Sequence, residues 1–248
     1  MILVFALLGA AMGSFAALVA ERLLRGQGFV TGGSACRACG TALAVRDLVP
    51  LLSYPLLRGR CRHCGARIPP VLWHAEIAGA LIGAAAAWSA PDPLRALALA
   101  GWMWALLALA LADLRSMRLP DPLMLAATVL GILLVALGDG TGWPDLQTRL
   151  AQATLGALAG GGAFWLLRAA YRWRSGRDGM GMGDVLLAAV LGLVLQERLP
   201  LAVLIAALTA LALALLRAWR KRRPLRRLGR VPFGAALALA GAFVAVLT

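Results

Sequence analysis

The chain has 248 residues, 61% of them hydrophobic, and carries 25 Lys and Arg against 11 Asp and Glu. Such a composition excludes a soluble globular domain, and the lack of polar–apolar alternation excludes an outer-membrane barrel. The net charge of +14 would suit a nucleic-acid partner, but its placement argues against one: 8, 2, 4 and 8 cations fall in 22–70, 113–121, 168–183 and 217–230, leaving Arg95, Arg149 and Arg198 elsewhere. Cations concentrated in alternate loops mark those loops as cytoplasmic, with lipid headgroups as their partner.

Residues 2–20 form the first apolar run. No basic residue precedes it, so it reads as a retained helix with its N-terminus outside, not a signal peptide, and Gly13-Ser14 marks a tight helix contact. Residues 25–70 are the one long polar segment and hold all four cysteines, in Cys36-Arg37-Ala38-Cys39 and Cys61-Arg62-His63-Cys64. Two C-x-x-C knuckles, each followed by glycine (Gly40, Gly65), suit tetrahedral zinc on four thiolates. Disulfides are the alternative, which a reducing cytoplasmic loop disfavours. A segment this small buries little core, so bound metal would supply folding energy. His63 could replace a ligand or stand by in solvent.

The second run, 72–90, opens with His74 and Glu76; a carboxylate there either meets a partner or snorkels to the headgroups. After an outside loop, the third run, 94–112, ends at Asp113. Asp121-Pro122 reads as an N-cap with proline at the first helical position. Asp113 has no such explanation, because a helix C-terminus disfavours negative charge. Further runs at 123–137, 150–167, 185–195, 199–216 and 231–248 follow, with Gly156 and Gly160 to Gly162 as close-packing sites in the fifth. The 185–195 run is short for a bilayer, implying tilt or local thinning. Asp184 immediately precedes it, within Gly179-Met180-Gly181-Met182-Gly183-Asp184. The sum is an all-α integral membrane protein of about eight transmembrane helices, with a small cytoplasmic zinc-knuckle domain between the first and second. Its expected divisions are 1–24, 25–70 and a seven-helix membrane domain, 71–248.

In this topology Asp113 ends an inward-running helix and Asp184 begins an outward-running one, so both lie at the cytoplasmic face. Two carboxylates in a partly dry site cannot both ionise, and one then serves as acid while the other is a base. Gly181 and Gly183 leave backbone bare for an extended substrate chain. The competing readings are two interfacial helix caps, or a transporter relaying protons or ions through its carboxylates. A transporter would place acids nearer mid-span and show an inverted repeat, and neither is evident.

With these residues the chain resembles the type IV prepilin peptidases, membrane aspartyl proteases that also N-methylate their product. The resemblance rests on Asp113 followed by Pro120-Asp121, the Gly179 to Asp184 run, Gly13-Ser14-Phe15, the paired knuckles, Pro50-Leu51-Leu52-Ser53-Tyr54, Arg58-Gly59-Arg60-Cys61 and Glu76. It departs from the family at Leu186, where lysine is usual, at Ala17 for asparagine and at Trp73-His74 for tyrosine-proline. The resemblance implies cleavage of the basic leader of prepilins or pseudopilins, typically after glycine, by Asp113 and Asp184. Methylation of the new N-terminus from S-adenosylmethionine would follow, in the bacterial inner membrane. No fingerprint in the chain locates the methyl donor.

Overall fold

The computed structural model describes residues 1–26, 34–90, 92–138, 145–221 and 231–247. Nine helices occur among them: α1 (Ile2–Leu24), α2 (Ser53–Leu56), α3 (Pro70–Ser89), α4 (Pro93–Ser116), α5 (Asp121–Leu137), α6 (Leu146–Ser175), α7 (Met182–Leu195), α8 (Leu199–Lys221) and α9 (Phe233–Val246). The described residues hold no sheet, only two isolated antiparallel bridges. The basic loop expected at 217–230 falls largely outside the described residues.

Each expected apolar run coincides with a helix. Five helical stretches are long and apolar enough to cross a membrane, and α5 and α9 are shorter apolar helices. One of the five, Met182–Arg220, joins α7 and α8 into 39 residues. At 1.5 Å per residue that is roughly 58 Å, about twice the hydrocarbon thickness. Gln196, at φ +49°, breaks it between the two helices.

Two expectations about helix ends need correction. α4 does not stop at Ala112 but continues to Ser116, closed by Met117 in the left-handed conformation. Asp113 therefore sits in the last turn, one turn inside the helix. Asp121 is not an N-cap: α5 begins at Asp121 itself, with Pro120 at the cap and no side-chain capping bond. The start instead exploits proline's fixed φ and the unbonded first-turn N–H groups.

The buried α4 is the hub, packed against α1, α3, α5 and α9, while α7 packs on α5, α6 and α9. Small residues let the helices meet backbone to backbone, as membrane bundles require. On α1, side chains at Gly9 and Gly13 would strike the carbonyls of Gly79 and Ala75 on α3, and Gly156 of α6 faces Gly192 of α7 in the same way. Gly162, by contrast, faces open space. α6 has no buried residue beyond Phe164, and α8 none beyond Ala206, among those described. Both flanking helices thus shed their packing toward one end of the bundle. The first turns of α7 and α9 lie at that end.

Candidate active site and metal centre

Three helix ends converge there: the last turn of α4, the first turn of α7 and the first turn of α9. Asp113 is the only buried charged residue among those described, at 5% exposure. Its Oδ2 accepts a 2.7 Å hydrogen bond from the Ala235 N–H, which α9 has no internal use for in its first turn. Asp184, in the first turn of α7, is half-buried. A Cβ built on Gly234 would lie 3.0 Å from Asp184 Oδ1 and 3.1 Å from Asp113 Oδ2. The two carboxylates therefore reach the same point from different helices. The N-termini of α7 and α9 both face them, and their partial positive charge offsets part of the cost of burying negative charge.

Both aspartates line a cavity of about 770 Å³ that also takes in Gly179 to Gly183, Leu119, Leu186 and Phe233. Met117, Met124, Met180 and Met182 line it too, four of the chain's seven methionines. Flexible thioether side chains suit an apolar wall that must adapt to its occupant. The two glycines differ. Gly181 stands in extended backbone before α7 with little above it, whereas a side chain at Gly183 would meet Leu119 at 3.1 Å. Gly183 is thus small because this chain's own Leu119 packs on it.

Glu76 lies outside that cavity. Its Oε2 accepts from the Leu51 N–H at 2.9 Å, and Trp73 Nε1 donates to the Leu51 carbonyl at 3.2 Å. Leu51 has φ +66°, so α3 clamps both polar groups of a residue in strained backbone. Tyr54 stacks on Trp73 with ring centroids 5.6 Å apart. The segment 50–54 is thereby docked on α3. His74 Nδ1 lies 2.7 Å from the Pro70 carbonyl one turn back.

The two knuckles share one local design. Gly40 N–H bonds to Cys36 O and Gly65 N–H to Cys61 O, at 2.9 and 3.0 Å, with both glycines in the left-handed region. All four cysteines are free thiols, and their sulfurs lie within 4.8 Å of one another, Cys36 and Cys64 at 3.8 Å. Four sulfurs around zinc, at about 2.3 Å from it, would stand roughly 3.8 Å apart, so the set fits a tetrahedral ion. The N–H groups of Cys39 and Ala38 hold the Cys36 thiol below its usual range, and those of Cys64 and His63 do the same for Cys61. The Thr41 hydroxyl and N–H lower Cys39 likewise. At Cys64 the Ala66 N–H also lowers, but burial and the other three thiols outweigh it and push this thiol up to about 11. A dication would relieve that crowding. His63 is not one of the grouped donors.

Glu21, near the end of α1, ties this region to the bundle. Its carboxylate pairs with Arg25 at 2.8 Å, with Arg37 inside the first knuckle, and with Arg115 of α4 at 3.1 Å. Arg115 stands two residues beyond Asp113. At the opposite end of the bundle, Arg149 donates to the Ala136 carbonyl at 3.0 Å and Arg95 to that of Gly138, so these two cations cap α5.

Glu21, Gly234 and Ala235 were not among the residues singled out from the sequence. Glu21 had a visible signal, a carboxylate at the end of an apolar run. Gly234 and Ala235 act through an absent side chain and a backbone N–H, which no motif of side chains reveals.

Residues 7–90 match the family model described as the bacterial peptidase A24 N-terminal domain, and residues 100–215 match that of the type IV leader peptidase family. A protein of Burkholderia pseudomallei (strain K96243) named prepilin leader peptidase/N-methyltransferase is 40% identical over 215 residues, 84% of this chain and 65% of that one. Proteins of the same name from Aeromonas hydrophila and Pseudomonas putida are 35% and 34% identical, across 69% and 71% of their lengths. The chain thus spans just under two thirds of the Burkholderia relative. No solved structure gives a significant match. With both halves matched and the identity sustained over most of its length, the chain belongs to the type IV leader peptidase family.

Proposed function

We propose that this protein cleaves the basic leader from type IV prepilins or pseudopilins with Asp113 and Asp184 as an aspartyl dyad, then N-methylates the new N-terminus. The observation that carries the reading is the convergence of the two carboxylates on one point beside Gly234. In such a pair the ionised member takes a proton from water while the neutral member donates to the scissile carbonyl. Their titration belongs to the pair, so neither role is assigned to either residue. The methionine-rich wall supports an apolar residue next to the scissile bond, and Gly181 leaves backbone bare beside it. The names of the relatives support this enzyme over a transporter.

Cys36, Cys39, Cys61 and Cys64 would hold structural zinc, which organises the 25–70 segment when bound. S-adenosylmethionine would supply the methyl group. The reading places eight crossings in the bacterial inner membrane, with both termini outside, the dyad at the cytoplasmic face, and the chain divided at 1–24, 25–70 and 71–248. Lipid and the substrate's own apolar helix are its partners, and nucleic acid is not.

The test is a cleavage assay on purified protein with a prepilin and labelled methyl donor. Asp113→Asn and Asp184→Asn should each lower cleavage by about 10²–10⁴-fold, the usual worth of an acid–base group. Normal cleavage by both would end the dyad reading. Cleavage by wild type without label transfer would reduce the function to the peptidase alone.

A further inference from the structure

We infer that Gly234 is a positioning residue of the dyad, required because any side chain there would drive the two carboxylates apart. The inference rests on the peptidase reading and adds to it a component contributed by α9. Gly234 is buried and its backbone is ordinary first-turn helix, without the positive φ that would explain a glycine. Glycine within a helix costs about 1 kcal/mol relative to alanine. Elsewhere α9 uses alanine for its small residues except at Gly241, where a side chain would strike Leu191 of α7. What distinguishes position 234 is the space its Cβ would fill, 3.0 Å from Asp184 Oδ1, 3.1 Å from Asp113 Oδ2 and 3.2 Å from Asp113 Cγ.

Room for that methyl group requires the carboxylates or α9 to yield by a few tenths of an ångström. Asp113 is held by the N–H of Ala235, the very next residue, so swinging its carboxylate clear of a methyl group forfeits that bond. Moving α9 instead disturbs a helix packed on α4, α7 and α8. Either response changes the separation and orientation of the pair while leaving the cavity wall that receives the substrate, Met124, Met180 and Leu186, in place. A misplacement of about 1 Å at reacting groups can cost roughly 10²-fold in rate, and a shift of a fraction of that should cost roughly 10-fold.

The experiment uses the full chain in detergent or nanodiscs with a prepilin, comparing wild type, Gly234→Ala and a control, Gly162→Ala, whose Cβ would meet nothing. Gly234→Ala should lower kcat by about 10-fold with KM within about twofold of wild type. Its pH–rate profile should narrow, because two carboxylates that no longer share a proton titrate closer together. Gly162→Ala should behave as wild type. A general loss of folding would lower the amount of active enzyme without reshaping the profile, so the profile separates positioning from stability. Should Gly234→Ala fail to accumulate, Ala235→Pro takes its place: it removes a first-turn N–H the helix does not itself use, and should reduce kcat comparably. Retention of more than about half of wild-type kcat with an unchanged profile, in whichever variant is assayed, overturns the inference. Failure of wild type to cleave would instead bring down the peptidase reading beneath it.

Discussion

At the scale of single residues, the contrast between Glu76 and Gly234 shows what a sequence exposes. A glutamate at the start of an apolar run demands a partner, and the structure supplies one in the Leu51 N–H. Glu76→Ala would strand that donor on a residue already in left-handed backbone, a loss of about 1–3 kcal/mol. Glu76→Gln keeps an acceptor and should lose less. Thermal unfolding of the two purified variants checks the order. The aspartates were legible for the same reason, since a carboxylate beside an apolar run is conspicuous. Gly234 was not, because a missing side chain acquires meaning only once Asp113 and Asp184, distant in sequence, are seen around it.

At the scale of elements, hydrophobic runs located every long helix, though not the short α2 in the polar segment, and misjudged where several of them stop. Burial decides the middle of a membrane helix, whereas its ends depend on backbone devices that hydropathy ignores, such as Met117 closing α4 and Gly176 closing α6. The added turn of α4 matters, since it places Asp113 within packed helix and carries Arg115 out to Glu21. The α1–α3 seam was foreshadowed by Gly13, and its partner on α3, Ala75, presents a backbone carbonyl that cannot move aside. Gly13→Leu should therefore cost about 3 kcal/mol or more by overpacking. Gly162→Leu, on a face of α6 that meets nothing, should stay within about 0.5 kcal/mol. Paired melting curves in detergent would separate the two, and equal losses would refute the seam.

At the scale of the whole molecule, the first knuckle is tied to the end of α4 through Glu21, bonded to Arg37 on one side and Arg115 on the other. The knuckles could be read from spacing alone; their attachment beside Asp113 could not, since it depends on arginines that any basic loop would contain. The purified protein is expected to carry zinc that Cys36→Ser loses, measurable by elemental analysis. Because the ligands must be thiolates, protons compete with the metal, so zinc should be retained at neutral pH and released progressively as pH falls.

The exposure of α6 beyond Phe164 and of α8 beyond Ala206 bears on how a guest could arrive. Where flanking helices bury little against their neighbours, there is little packing to undo, and an incoming apolar segment would chiefly have fatty acyl tails to push aside. Admission would then be a matter of two-dimensional diffusion and of competition with the surrounding fluid. Turnover should respond to the kind of amphiphile that solvates these two helices as readily as to changes in the protein itself.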